Sequence, residues 1–330
     1  MASRPALLGG DVQARRPATH VSLSRVGVTG VEKVVRISSD GLEQLFYAEL
    51  ECFVDLGPQQ KGAHMSRFEE VVNEAIDEVI LSEAFKAETL AAHIAERVRE
   101  RQGAMRAEVT IAARYPEHKP SPASATPTQE IYKLFGAAVA SAQGTRRLVG
   151  VEAQGMTACP CAQEMVMDEA QERLAADGFS DDEIARVFEA VPVATHNQRG
   201  IGTLYVGCPE GCAQAIEAEA LLEIVEAAMS SEIYELMKRP DELEVVEKAH
   251  RNPRFVEDCA REMVRLAVER FGELGEDAFV LARQENLETI HKHNVVAERH
   301  GLVGELQHEL STGEHLPHHT TVREWLEGRA

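Results

Sequence analysis

Basic residues are scarce in this chain: 34 lysines and arginines face 55 aspartates and glutamates, a formal net charge of −21 at pH 7. Such a surface repels nucleic acid and anionic membranes at long range, although a pocket within it can still be locally basic. No apolar run approaches the roughly 20 residues that span a bilayer. The opening MASRPALLGGDVQARRPATH has too short an apolar segment for a secretory leader. The expectation is a cytoplasmic protein with no nucleic-acid or membrane partner. Cysteine is sparse as well, six in 330 residues, too few for a secreted disulfide scaffold. The P-loop pattern, the G-x-G-x-x-G fingerprint and the G-x-S-x-G elbow are all missing. ATP-driven, nicotinamide and serine-hydrolase chemistry therefore have no local support.

What is present is enough apolar sequence, 44% of residues, to build a large core, and a length that suggests two domains. From His20 the run HVSLSRVGVTGVEKVVRI reads as a strand, and LEQLFYAELECFVDL as its hairpin partner. After Gly62 the apolar positions Phe68, Val71, Val72, Ala75 and Val79 fall at helical spacing. AFKAETLAAHIAERVRERQG predicts a second helix stopped at Gly103. MRAEVTIAARYP returns to strand, and EHKPSPASATPTQE reads as a linker or surface excursion.

The order then recurs. YKLFGAAVASA, RRLVGVEAQGMTA and RGIGTLYVGC read as strands, EAEALLEIVEAAMSSEIYELMKR and FVEDCAREMVRLAVERFGEL as two long helices, and DAFVLARQEN as a closing strand. Between them CAQEMVMDEAQERLAADGFSDDEIARVFEAVP predicts an inserted helical pair, its second helix capped by Ser180. The fold expected is α+β: a duplicated unit of antiparallel strands with helices on one face. The boundaries expected are an arm over 1–18, units over 19–127 and 128–300, an insertion at about 162–192 and an extension over 301–330.

Four cysteines fall in two close pairs, Cys159/Cys161 and Cys208/Cys212. In Thr157–Glu164, TACPCAQE, Pro160 stiffens the turn between two thiols, and a helix N-terminus just beyond would lower a thiol pKa. THNQRG sets His196 and Arg199 in a polar turn, and ENLETIHKH supplies Glu288, His291 and His293 at spacings that suit a metal. Glu242 follows a helix breaker in KRPDELEVVEK, as an exposed acid or a carboxylate ligand. The alternative is a closed structural zinc site of Cys159, Cys161, Cys208 and Cys212, in a zinc-holding rather than catalytic protein. In KGAHMSRF, Lys61, His64, Ser66 and Arg67 open a helix, where a phosphate is well received; ordinary helix capping is the plainer reading.

Taken in order, KGAHMSRF, GMTACPCAQE, THNQRG, KRPDE, NPRFVED and ETIHKH resemble the GTP cyclohydrolase IB family from about Asp11 to Glu298. The resemblance implies two tandem tunnelling-fold (T-fold) units per chain and a homotetramer with active sites at subunit interfaces. It implies one divalent metal per subunit, zinc, manganese or iron. The implied reaction takes GTP and water to formate and 7,8-dihydroneopterin triphosphate, the first step of tetrahydrofolate synthesis.

Carried over by motif, Cys159, His196, Glu242, Glu288 and His291 are the metal ligands and Glu257 the guanine contact. Cys161 or a histidine is the acid at N7, and Lys61, His64, Ser66, Arg67 and Arg199 are candidates for the triphosphate. Without the resemblance, Glu257 reads as an exposed acid favoured by a helix dipole. The chain departs from the shorter bacterial pattern in its helical insertion, its CPEGC pair and its tail HLPHHTTVREWLEGRA, which is expected to be a solvated extension. The insertion resembles the archaeal branch, whose members make a dihydroneopterin cyclic phosphate.

Overall fold

The computed structural model describes residues 12–39, 42–79, 86–212, 214 and 216–328, so the first eleven residues of the expected arm lie outside it. The chain divides into two compact units that interleave in sequence: residues 1–114, 135–149 and 209–212, and residues 115–134, 150–208 and 213–330.

In the first unit β1 (Leu23–Ser39) and β2 (Leu42–Leu56) form the expected antiparallel hairpin, with Val26 opposite Val54 and Ser39 opposite Leu42. β2 also pairs with β3 (Ala107–Pro120), Ala48 opposite Ala113 and Val54 opposite Ala107. Side chains alternate across a strand, so the buried Phe46, Ala48, Leu50, Cys52, Val54 and Leu56 all share one face of β2. That face is covered by α1 (Met65–Val79) and α2 (Ala87–Gln102), through Phe68, Val71 and Val72 of one and Leu90, Ile94 and Val98 of the other. Gly103 ends α2 in the left-handed region, φ 64°, as its position predicts. Later strands contribute here too, β4 (Pro127–Ala140) through residues 135–140 and β5 (Thr145–Ala158) through 145–149. Gly136 of β4 admits the start of α2, since a Cβ there would lie 2.3 Å from the Ala87 carbonyl carbon.

The second unit is built on β6 (Asn197–Cys208), β8 (Phe279–Leu287) and β9 (Val295–Leu302), each antiparallel to the next, with β7 (Ser231–Glu232) paired to β5. The helices are α3 (Pro160–Ala176), α4 (Asp181–Ala190), α5 (Ala218–Ala227), α6 (Arg239–Arg251), α7 (Val256–Phe271), α8 (Val303–Thr312) and α9 (Val322–Leu326). Leu221 and Val225 of α5 and Cys259, Met263 and Ala267 of α7 bury their apolar stripes against the even-numbered face of β6 and β8. The fold is α+β, with antiparallel strands and helices on one face, as expected.

Four local expectations are corrected. The helix read through 217–239 breaks, because Ser230 is fully buried, accepts the Ala158 amide on its hydroxyl at 3.1 Å, and leads into β7 beside β5. Strand pairing there outweighs helix propensity. The stretch 117–130, read as a linker or surface excursion, is no linker but the tip of the β3–β4 hairpin, strand over 117–120 and 127–130 with the turn between closed by Ser121 and Thr126. DAFVLARQEN does not close the sheet, since β9 follows it. The tail is not simply solvated: Trp325 is fully buried, stacks on Phe279 at 5.5 Å between ring centres, and donates from Nε1 to the Asp277 carbonyl at 2.8 Å. The insertion forms as expected, with Ser180 and Glu183 in a capping box, and α3 buries no residue.

Candidate active site

The ends of β5 and β6 meet where the insertion leaves and returns. Cys159 is the N-cap of α3, with Pro160 in its first turn and Cys161 exposed next to it. The Cys159 amide donates to the His196 carbonyl at 3.1 Å, and Thr195 Oγ1 donates to the Cys159 carbonyl at 2.9 Å. Gln163 braces the start of α3, giving its Nε2 hydrogens to the carbonyls of Val193 and His250, each at 2.6 Å. From His196 the chain enters β6, whose register against β8 sets Arg199 opposite Leu287. Thr289 Oγ1 then donates to the Asn197 carbonyl at 3.0 Å, which brings the stretch after β8, beginning at Glu288, to the same corner.

These bonds gather the backbones of Cys159 and His196 and the stretch beginning at Glu288 at one corner, and two side-chain atoms there are telling. Nδ1 of His196 and Oε2 of Glu288 are buried with no hydrogen-bond partner. Leaving such atoms unpaired costs roughly 1–3 kcal/mol each, more if charged, and a bound cation would offset that cost. Cys159 and Cys161 are free thiols. Cys52 and Cys259 are free but buried, and burial pushes both thiols up to about 12. Cys208 and Cys212 are disulfide-bonded, which removes the four-thiolate site from consideration.

Around this corner lie residues that the motifs did not single out. Thr157, Gln198, Gln284 and Asn286 are buried polar residues on β5, β6 and β8. Thr157 Oγ1, Gln198 Oε1 and Gln284 Oε1 are also unpartnered. The signal was available in ARQEN, where Gln284 and Asn286 take alternate inward positions that a plain core strand gives to apolar residues.

Other predicted residues are placed differently. Glu242 is exposed in the first turn of α6, about two turns before His250, whose carbonyl touches Gln163. Its neighbour Asp241 is the buried acid. Its carboxylate accepts from the amides of Ala123, Ser124 and Lys238 and from the Ser124 hydroxyl, at 2.7–2.9 Å. Burial alone would push that carboxyl up, but these hydrogen bonds outweigh it and hold it well below the usual carboxylate range. His291 is exposed and stacks on His293 at 5.2 Å.

Glu257 is the second residue of α7 and lines a cavity of about 420 Å³ with Arg261, Arg299, Glu309, His315 and His319. The helix cap falls to Asp258, whose carboxylate accepts the Phe255 amide at 3.0 Å, so Glu257 is not needed as a cap. Arg199 is exposed on β6.

In the first unit the Lys61 amide donates to the carbonyls of Gln13 and Arg15, and Lys61 and Ser66 expose their side chains. The main chain of His64 exchanges two hydrogen bonds with the Gln102 side chain. Arg67 donates to the Arg101 carbonyl at the end of α2, at 3.2 Å. Arg67 and the His64 backbone therefore hold α1 to α2.

The fold and this corner define an α+β protein of the tunnelling-fold class. The structure aligns with a hyper-thermostable uricase mutant at a TM-score of 0.52, covering 92% of this chain and 96% of that one, at 8% identity, a likeness of fold alone. The sequence goes further, for the family model described as type I GTP cyclohydrolase folE2 matches residues 10–297, and the chain belongs to that family. Among its relatives, the GTP cyclohydrolase MptA of Methanococcus aeolicus is 42% identical over 307 residues, 91% of this chain and 99% of its own length. Those of Methanocaldococcus jannaschii and Methanothermobacter thermautotrophicus are 40% and 41% identical, over 92% and 91% of this chain and 98% and 95% of theirs. No helix among the described residues is long and apolar enough to cross a membrane.

Proposed function

We propose that this chain is a metal-dependent GTP cyclohydrolase, related to the type IB enzymes, that opens the guanine imidazole ring and releases formate. The observation that carries the activity is membership of the GTP cyclohydrolase family across residues 10–297. The two buried, unpartnered atoms of His196 and Glu288, together with the free thiol of Cys159, support the metal.

Cys159, His196 and Glu288 would hold the ion, a mixed thiolate, imidazole and carboxylate set suited to zinc, iron or manganese. Glu242 and His291 complete the proposed ligand set; both are exposed and so open to an interface in the proposed homotetramer. A bound divalent ion supplies the Lewis acidity that makes hydroxide available near neutral pH. Cys161, exposed in the first turn of α3, or a nearby histidine gives a proton to N7 as the bond to C8 breaks. Glu257 accepts two parallel hydrogen bonds from guanine N1–H and the exocyclic amine. Lys61, His64, Ser66, Arg67 and Arg199 remain the proposed triphosphate contacts, with the Arg67 guanidinium needing release from Arg101.

For the product, the archaeal-type dihydroneopterin cyclic phosphate is favoured over 7,8-dihydroneopterin triphosphate. The α3–α4 insertion and relatives named MptA that match along almost their whole length support it. A cyclic monophosphate keeps one of the three phosphoryl groups of GTP, so the other two must leave, and a triphosphate product releases none. Mass spectrometry of the pterin with a pyrophosphate assay on the same reaction decides. Formate with a cyclic phosphate and pyrophosphate is expected. A triphosphate without pyrophosphate would reverse the product assignment, and no formate would overturn the activity.

A further inference from the structure

A second group of metal-ligating side chains shares no residue with the Cys159 corner. We propose that Glu309, His315 and His319 form a distinct site for a nitrogen-preferring divalent ion such as zinc. One ligand atom from each lies within 4.8 Å of the other two. His319 Nε2 stands 3.7 Å from Glu309 Oε1 and is buried without a hydrogen-bond partner. A ring nitrogen shielded from water, facing a carboxylate but not bonded to it, is a poor arrangement unless something sits between them.

The backbone around the group is anchored. Gly313, φ 73°, reverses the chain after α8, and its amide donates to the Glu309 carbonyl at 2.8 Å. The loop folds back so that the Leu316 amide reaches Glu309 Oε1 at 3.2 Å, and Thr320 is held by Glu305 at 2.7 Å. From β9, Arg299 grips Glu309 Oε2 with Nε at 3.2 Å and Nη2 at 3.0 Å. Oε1, with a second lone pair, faces His319.

A ligating carboxylate braced by its own hydrogen bonds is what metal sites use to orient a ligand. Arg299 also cancels the charge of Glu309, so the two imidazoles and not a negative field select the ion. Magnesium and calcium, which want several oxygens, are disfavoured, and late transition ions are preferred. Three protein ligands leave a coordination position open, and all three residues line the cavity that Glu257 lines. The ion would tie the 314–319 loop to α8 in that wall and would exchange more readily than one in a closed four-ligand site.

Cobalt(II) is the probe, added to the chelator-stripped full chain. Two ions per chain are expected. One carries sulfur-to-metal charge-transfer absorption that Cys159→Ser abolishes; the other lacks it and is lost in His315→Ala/His319→Ala. The gentler His319→Gln should weaken the second ion roughly 100-fold or more while the circular dichroism spectrum is unchanged. His308→Ala/His318→Ala, which alters two histidines that have their own glutamate partners, should bind as the parent does. The site is overturned if the His315/His319 double variant and His319→Gln bind cobalt as the parent does, or if the His308/His318 variant loses the ion instead. A parent protein that binds cobalt without the charge-transfer band would count only against Cys159, so the two readings fail separately.

Discussion

Trp325 fills the space that a side chain at Gly207 would need: a Cβ built on Gly207 would lie 2.5 Å from the indole ring. The last helix is thus locked to β6 by a missing methyl group, and to β8 by the stack on Phe279.

This lock can be measured by a mutant cycle. Trp325→Ala should cost about 3–5 kcal/mol, since it empties a fully buried site. Gly207→Ala should cost about 1–3 kcal/mol by forcing the ring aside, and far less once the ring is gone. Urea unfolding of both single variants and the pair tests this; additive costs would mean that the two residues do not share the space.

Asp241 sets a pH signature. Its folded carboxyl is held below the usual range, so its contribution is complete above the unfolded value near ~3.9 and is lost as pH falls toward the folded value. The stability deficit of Asp241→Asn should therefore be constant from pH 7 to about pH 4 and shrink below it. Urea midpoints of both proteins at pH 7, 5 and 3 give the comparison, and a deficit that widens in acid would contradict the assignment.

At the corner, Cys159→Ala should remove turnover and lower metal content together, with little change in melting temperature, because the thiol is only partly buried. Replacing Cys208 and Cys212 by serine should leave the metal in place. Metal analysis beside formate release checks both, and a Cys159 variant that keeps its metal and its rate would end that ligand assignment.

Glu257→Gln should lower kcat/KM for GTP by about 100-fold, since an amide cannot accept both guanine hydrogens and a charged partner is lost. Melting temperature and metal content should not move, because Asp258 caps the helix. Parent-like kinetics would remove Glu257 from the guanine site.

Much of the fold was legible because most elements obey a single period. β2 alternates and α1 repeats helically, so burial followed from the letters alone. The failures lie where a distant partner decides. Ser230 looks like the middle of a helix until the Ala158 amide claims its hydroxyl, and nothing local in HTTVREWLEG tells that Trp325 has a pocket waiting at Gly207. At the site, Cys159, His196 and Glu288 were visible as motifs, but what gathers their backbones at one corner is a Cys159–His196 main-chain bond that any residue type could make and the Thr289 hydroxyl on the Asn197 carbonyl. Asp241 was hidden by the same cause, since the Ala123 and Ser124 groups that bond it sit more than a hundred residues earlier. Gln198 was passed over because a lone buried amide has no spacing rule, and Gln284 because its alternation with Asn286 was read only as strand.

The bond between Cys159 and His196 ties off the insertion at its neck, and α3 beyond that neck contributes nothing to the core. Loop length costs little once the ends are held, about 0.6 kcal/mol per doubling. The excursion can therefore lengthen, shorten or be exchanged over evolutionary time without disturbing the strands that carry it. Shortening the helical pair to a tight turn should leave the corner as it stands, and a domain grafted at the far end of α3 should ride on the protein as an independent passenger.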